Sequence, residues 1–398
     1  MKEKFLRELA DIQTGPFGSQ LHKEDYVADG TPIVTVEHLG NKMFSEQNLP
    51  RVSNTDKNRL KKYVLKQGDI VFSRVGSVDR CSYVDQKHDG WMFSGRCLRV
   101  RPTSEIDSEY LYYYFCLEET KQFVRNIAVG ATMPSINTKL LGEVVVTFPE
   151  LEQQKRISGI LSAIDSKIEV NQKINDNLLE QASTLFNSAI QQSTSVVYAE
   201  LGSLAEVKGG KRLPKGVNLV TTPNQHPYIR VRDLNNTVFV SLSKDYEYVD
   251  DETQQSISRY IVSTGDLLIS IVGTIGLTAI VDHTLNKANL TENCVKLTNI
   301  KNVTPEYLLL FLRSLQGVEA ISKGTVGAVQ LKLPIKNIQS ITVPLLCDEE
   351  LQPLQETLSA IFSQISANIV EMKQLADIRD TLLPKLMSGE LDVSGLNL

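Results

Sequence analysis

The sequence predicts an α+β protein in which two homologous globular domains stand in a pseudo-two-fold arrangement, separated by two long antiparallel coiled-coil helices. Three observations predict it. Two long segments match each other at an offset near 197 residues. Each runs through short strand-like stretches into an apolar helix and a closing strand. Each then passes into a tail whose apolar positions recur every seven residues.

The internal repeat comes first, because a missed repeat misassigns the whole fold. Gly68-Asp69-Ile70-Val71-Phe72-Ser73-Arg74-Val75-Gly76 lines up with Gly265-Asp266-Leu267-Leu268-Ile269-Ser270-Ile271-Val272-Gly273. Asp85 falls on Asp282, Glu109-Tyr110-Leu111 on Glu306-Tyr307-Leu308, and Val129-Gly130-Ala131 on Val326-Gly327-Ala328. Leu9-Ala10-Asp11-Ile12 resembles Leu204-Ala205-Glu206-Val207. Chance does not place so many matches at one spacing. The chain is two copies of one unit.

Within each copy, turn residues bound short β-prone runs: Ile33–Val36, Ile70–Phe72 and Cys97–Val100, then Tyr228–Val231, Leu267–Val272 and Cys294–Leu297. A helix follows over Glu109–Phe123 and Pro305–Ile321, and a last strand over Val144–Phe148 and Ile341–Leu345. The expected boundaries are 1–149 for the first domain, 150–197 for its helix, 198–346 for the second domain and 347–398 for its helix.

The tails carry the clearest periodicity. Steps of four and three link Ile157, Leu161, Ile164, Ile168, Asn171, Asn175, Leu178, Ala182, Leu185 and Ala189. The second tail repeats this through Leu351, Leu354, Leu358, Ile361, Ile365, Asn368, Met372, Leu375, Arg379, Leu382 and Leu386. Asn171 and Asn368 fall at equivalent seam positions, and a buried Asn in a seam fixes register at some cost in stability. Copies of one unit tend to pair about a two-fold axis, so the tails are expected to lie antiparallel with these two Asn near the axis. A helix of about 40 residues is about 60 Å long, enough for the pair to act as a spacer bar. Pro384 and Gly389 end the second bar.

Composition removes several classes. No run approaches the roughly eighteen apolar residues of a membrane span, and the start Met1-Lys2-Glu3-Lys4-Phe5 lacks the features of a secretory signal. The five cysteines, at 81, 97, 116, 294 and 347, are scattered without a C-x-x-C pair, which suits reduced thiols in a cytoplasm. Net charge is −5, which on its face disfavours a nucleic-acid partner. By segment the balance differs. Residues 1–149 hold 20 Lys and Arg against 19 Asp and Glu, and residues 201–347 hold 15 against 12. The acidity sits in residues 150–200, with 4 against 7, and 348–398, with 3 against 9. The globular parts are mildly basic and the helices acidic.

Two globular units joined through seam helices resemble the specificity subunit of type I restriction–modification enzymes. Local strings resemble it as well: Gly15-Pro16-Phe17-Gly18-Ser19, Gly209-Gly210-Lys211-Arg212-Leu213-Pro214-Lys215-Gly216, the Gly-Asp strand and its loop, and Val129-Gly130-Ala131-Thr132-Met133-Pro134-Ser135-Ile136-Asn137. The C-terminal Arg379-Asp380-Thr381-Leu382-Leu383-Pro384-Lys385-Leu386-Met387-Ser388-Gly389-Glu390-Leu391 is the most specific match. The second copy departs at Val329-Gln330-Leu331 and at Ile271, which stands where the first copy has Arg74. The resemblance implies two target-recognition domains, each reading a few base pairs of double-stranded DNA. It implies helices that set the gap between half-sites and dock two methyltransferase subunits, with motor and nuclease subunits as optional additions. It implies no chemistry in this chain.

The motifs agree with that implication. There is no Asn/Asp-Pro-Pro-Tyr/Phe string, Gly-x-Gly-x-x-Gly, phosphate loop or Gly-x-Ser-x-Gly elbow. The five His residues show no metal-ligand spacing, so neither metal nor cofactor is expected. Bases are read by Arg, Lys, Asn, Gln, Ser and Thr, while other cations hold phosphates. The DNA-binding candidates in the first domain are Ser19, Gln20, His22 and Lys23 after the glycine turn, Arg74, Ser77 and Arg80 around a Gly-Ser turn, and Thr132. Those in the second are the basic loop Lys211, Arg212 and Lys215, then Thr274, Gln330 and Lys332. Arg230 and Arg232 alternate along an expected strand and share a side, which either meets DNA or pairs with neighbours such as Asp233. Trp91 and Tyr110–Tyr114 read as core. Two other functions fit a repeated unit on seam helices: a coiled-coil scaffold with two peptide-binding domains, and an enzyme with an unrecognised site in each repeat. The repeats differ most in their polar loops, which argues against two copies of one active site.

Overall fold

The computed structural model describes all residues except 17–19, 41, 236, 394 and 396–398, together with all described side chains but that of Lys23. By packing, the chain divides into one unit of Met1–Val170 with Glu371–Leu398, and a second of Asn171–Val370.

Each unit closes on itself first. In the first unit the N-terminal strand Lys2–Phe5 pairs antiparallel with Val145–Phe148, and in the second Val197–Glu200 pairs in the same way with Thr342–Leu345. The central sheet of the first unit runs in the order Ala10–Thr14, Cys97–Pro102, Ile70–Ser73, Cys81–Tyr83. Its counterpart runs Glu206–Gly209, Cys294–Thr298, Leu267–Ser270, Thr278–Val281, Phe239–Val240.

The unbroken apolar run of the middle strand follows from cover on both faces. Ile70 and Phe72 point into a core shared with the helices, while Val71 points into a second core with Ile33, Val34 and Phe93. Leu267 and Ile269 against Leu268 repeat that split. The aspartate that opens this strand caps its own turn, because Asp69 Oδ2 accepts from Lys66 N at 2.8 Å and Asp266 Oδ2 from Ser263 N at 2.8 Å. Both carboxylates are buried, and each takes a cation from the adjacent strand: Arg101 at 2.7 Å and Lys296 at 3.0 Å.

The single helix expected in each copy is two helices. They are Ser108–Cys116 and Glu118–Ile127, broken at an extended Leu117, and Pro305–Arg313 and Leu315–Gly324, broken at Ser314. Ser314 caps the helix that follows, since its hydroxyl accepts from Gly317 N. Trp91 lies against Phe44 and His88, and Tyr110, Tyr112 and Tyr113 are buried, as a core reading expects. Among the described residues no helix is long and apolar enough to cross a membrane.

The tails are the helices Leu151–Gln192 and Asp348–Ser388. In the first unit they run antiparallel: Lys167 faces Glu371, Asp165 faces Arg379, and Ile157 and Leu161 share a core with Leu383 and Leu386. In the second unit Asn175 faces Asn368 and Ser193 faces Glu350, the same sense. The seam departs from expectation at one point, where Phe186 is buried and Leu185 exposed. Asn368 donates to Asn175 Oδ1 at 2.8 Å, and Asn171, one turn before Asn175, is also buried.

Where the first domain meets its helices the contacts are polar. Lys42 Nζ lies 2.6 Å from Glu109, 2.8 Å from Ser162 and 3.3 Å from Tyr113 Oη. Tyr113 donates to Asp165 at 2.6 Å, and Asp165 also holds Arg379 at 2.7 Å. In the second unit Val238, Leu310, Phe362 and Ala182 stand where the first has Lys42, Tyr113, Asp165 and Arg379, all buried in one apolar cluster.

Asn368 accepts from Gln364 and donates to Asn175, so the pair is satisfied inside an apolar seam. Asn368→Leu or Asn175→Leu alone should cost about 2 kcal/mol, because one buried amide loses its partner. The double variant should regain most of that loss. Denaturant unfolding of the parent, both singles and the double checks this, and additive losses would contradict it.

Candidate functional site

In the first unit four segments are stitched together by backbone hydrogen bonds at the end of strand Ile70–Ser73. The turn after the strand joins the glycine loop: Gly76 N donates to Pro134 O at 2.8 Å, and Ile136 N donates to Arg74 O at 2.9 Å. The loop closes on itself through Val129 and Ser135. Gly130 sits there at φ +106°, with a Cβ position only 2.7 Å from Met133 O, so the reversal needs glycine. The turn Ser94–Arg96 docks next, since Arg74 N donates to Arg96 O at 2.8 Å and Ser94 N to Val34 O at 2.9 Å. Val34 leads into the short helix Val36–His38. Gly15 N, at the opening loop, donates to Cys97 O at 3.2 Å.

Apart from the Gly76–Pro134 bond, the second unit repeats the bonds of this frame. Leu333 N donates to Ile271 O at 3.0 Å, Ile271 N to Asn293 O at 2.8 Å, Thr291 N to Ile229 O at 3.0 Å, and Gly210 N to Cys294 O at 3.0 Å. Val272 and Val326 both bridge to Lys332, and Gly327 stands at φ +121° with a Cβ position 2.3 Å from Gln330 O.

The frame sorts the candidates. Ser77 and Thr132 are exposed on the two stitched loops of the first unit. Arg74 is half-buried and donates to Gly95 O at 3.1 Å, so it braces the Ser94–Arg96 turn. Arg80 parts from it. Its side chain lines a cavity of about 420 Å³ with Tyr113, Asp165 and Arg379, beside the helices. Gln20 is tied down by Tyr63 Oη at 2.7 Å and Arg59 at 3.0 Å, while His22 is exposed. Ser19 and the side chain of Lys23 lie outside the described residues.

In the second unit Thr274, Gln330 and Lys332 are exposed on the equivalent loops. The basic loop is exposed as well. Lys211 lies 5.5 Å from the Tyr260 ring, Arg212 pairs with Glu292 at 2.7 Å, and Lys215 extends beyond them. Arg230 and Arg232 do not alternate on a strand. That strand ends at Ile229, Arg230 caps the short helix Val231–Leu234, and Arg232 lies inside it. Both still approach one carboxylate, Glu247, with Arg232 at 3.5 Å and Arg230 in close contact. Asn171 and Asn368 belong to the helix seam.

Sequence reasoning missed the caps of the two short helices and the turns 94–96 and 291–293. The match of Cys97 with Cys294 was the available signal for the turns. The caps are structurally equivalent. Thr35 N donates to His38 Nδ1 at 3.0 Å, and Arg230 N donates to Asp233 Oδ2 at 2.7 Å. Because a backbone N–H can only donate, His38 accepts at Nδ1 and carries its proton on Nε2, which faces Gln47 O at 3.2 Å. Burial pushes the Cys97 and Cys294 thiols up to about 12, which keeps them neutral beneath the turns.

The chain matches the type I restriction modification DNA specificity domain over residues 1–180 and 195–379. It is 24% identical over 410 aligned positions to the HindI specificity subunit of Haemophilus influenzae, covering 83% of this chain and 88% of that protein. It is likewise 24% identical to the putative MjaX specificity subunit of Methanocaldococcus jannaschii, over 98% of this chain and 93% of that one. Its fold is similar to the crystal structure of a type I restriction–modification S subunit from M. genitalium. The TM-score is 0.54 at 18% identity, over 97% of this chain and 95% of that one.

Asp233 gives this region a pH signature. Burial pushes its carboxyl up to about 6, outweighing Arg232 and Arg230, which come no closer than 3.7 and 3.8 Å. A carboxyl with a raised folded-state pKa binds its proton more tightly when folded. The stability it contributes is therefore present below about pH 4 and lost as pH rises through about 6. Asp233→Asn should match the parent near pH 4 and exceed it at pH 8, by up to about 3 kcal/mol. Denaturant midpoints at the two pH values check this, and an equal difference at both would contradict it.

Proposed function

The chain belongs to the type I restriction modification DNA specificity family, and on that premise we propose that it selects a split DNA target. One short block is read by each globular domain, and the gap between blocks is set by the helices. The observation that carries this reading is one backbone frame built twice with different polar side chains on its loops. Two copies of one active site would share those side chains, whereas two readers of different half-sites need them to differ.

The exposed cations Lys211, Lys215 and Lys332 suit phosphate contacts, which position a protein without selecting sequence. Ser77, Thr132, His22 and Gln20 in the first domain, with Thr274 and Gln330 in the second, are short polar groups at the same rims. Arg74 supports its turn through Gly95 and places the groups around it. Arg212 and Arg230, engaged with carboxylates, act chiefly by holding their loops. The acidic helices suit a protein partner rather than phosphate, and we assign them to docking two methyltransferase subunits. Motor and nuclease subunits join through that assembly where they are present. On this reading the chain brings no cofactor and performs no reaction itself.

The test is long-read methylome sequencing of a methylation-free host expressing this chain with its methyltransferase subunit. The expected result is methylation at two short defined blocks around a fixed undefined gap, lost when this chain is omitted. A continuous target would remove the spacer role of the helices. Methylation indifferent to this chain, by a demonstrably active methyltransferase, would overturn the reading in favour of a protein scaffold.

A further inference from the structure

The two units share most bonds of the loop frame, and at its caps and turns they differ in a few side chains. The parallel pairs Val34 with Phe93 and Ile229 with Leu290 place Thr35 opposite Arg230 and Glu37 opposite Arg232 in the common frame. His38 and Asp233 fill one role there, each buried and each accepting from the cap N–H three residues back. Ser94, Gly95 and Arg96 correspond to Thr291, Glu292 and Asn293, because their backbone bonds to Val34 and Ile229, and from Arg74 and Ile271, are the same. What holds the frame is retained or replaced by an equivalent. What stands on it is reversed in charge or exchanged in hydrogen-bonding type.

Glu37 and Arg96 line one cavity of about 830 Å³ with Thr35, Ser94 and Gly95. Both are exposed. Neither has a partner among the described residues: the neighbouring His38 faces inward to Thr35 and Gln47, and Arg74 takes Gly95 O instead. A carboxylate and a guanidinium held on short backbone segments, unpaired on one concave surface, are poised for an outside ligand. In the second unit Arg232 is 62% exposed, with carboxylates no closer than 3.5 Å, and the Asn293 amide has no side-chain partner among the described residues.

We infer that the sequence-determining side chains are Glu37 and Arg96 in the first domain and Arg232 and Asn293 in the second, and that their ligands are base edges in the major groove. This rests on the split-target reading above. A guanidinium matches guanine O6 and N7, a carboxylate accepts from the amino group of cytosine, and an Asn amide matches adenine N6 and N7. The first pair therefore suits a block containing guanine and cytosine, and the second a block containing guanine and adenine.

The experiment is methylome sequencing of the full chain with its methyltransferase subunit, comparing the parent with Glu37→Gln, Arg96→Ala, Arg96→Lys, Arg232→Lys and Asn293→Asp. The first three are expected to alter one block only and the last two the other block only. Selectivity at the affected base pair should fall about tenfold. Parental motifs kept with parental strictness overturn the assignment, and so does a change in both blocks from one substitution. Should Arg96→Ala methylate nothing, Arg96→Lys decides: an altered block supports the assignment and an unaltered one overturns it. Absence of chain-dependent methylation in the parent instead removes the split-target reading itself.

Discussion

The structure depends on how each globular unit is closed. Its first strand pairs with its last, Lys2–Phe5 with Val145–Phe148 and Val197–Glu200 with Thr342–Leu345, and a long helix starts within a few residues of each closing strand. Buried tyrosines brace these strands, Tyr110 Oη donating to Thr147 O at 3.1 Å and Tyr307 Oη to Pro344 O at 2.7 Å. Glutamines of the long helices reach back in turn, Gln154 to Asp107 N at 2.8 Å and Gln355 to Thr304 N at 2.6 Å. The direction of each helix is thereby fixed by its own domain. Without that closure the seam would have no defined relation to the loops, however good its heptads.

On this base the protein separates what must stay from what is free to change. Backbone groups carry the loop frame, so it tolerates exchange of side chains that point away from it. Glycines at Gly130 and Gly327 are the exceptions, since no other residue fits beside the facing carbonyl at that φ. Loops on such a scaffold can carry different polar groups in the two copies while the strands beneath keep their packing.

Much of this was legible in the sequence. The repeat, the middle strand and the helical seams rest on apolar patterning, which the core enforces directly. The helix break was visible in one copy only: Ser314 is a capping residue, whereas Leu117 offers no cap and its break follows from tertiary packing. Arg230 and Arg232 resembled strand residues because the following Asp233 acts through a cap, and caps depend on three-dimensional reach rather than on period. Heptads indicate which faces enter the seam, but the axial offset between antiparallel helices, set by the domains, decides that Asn368 meets Asn175 and that Phe186 is buried in place of Leu185. Ser77, Thr132, Thr274, Gln330 and Lys332 lie on loops. Which candidates are already engaged, as Arg74, Gln20 and Arg212 are, is not written in spacing.

The joint between domain and helices bears on how such chains can be recombined. In the first unit it is a network of Lys42, Glu109, Tyr113, Asp165 and Arg379, whereas in the second Val238, Leu310, Phe362 and Ala182 replace all of these but the glutamate with carbon. A first domain transplanted onto the second unit's helices would bring Lys42 with its own Glu109, but would set the Tyr113 hydroxyl against Phe362 with no carboxylate to accept from it, at a cost of about 1–3 kcal/mol. The reverse graft would leave the Asp165–Arg379 pair beneath an apolar surface, without the Tyr113 hydroxyl. Exchange of whole domains between the two slots is thus penalised at the joint, which stays intact when each domain keeps the helices whose polarity it matches.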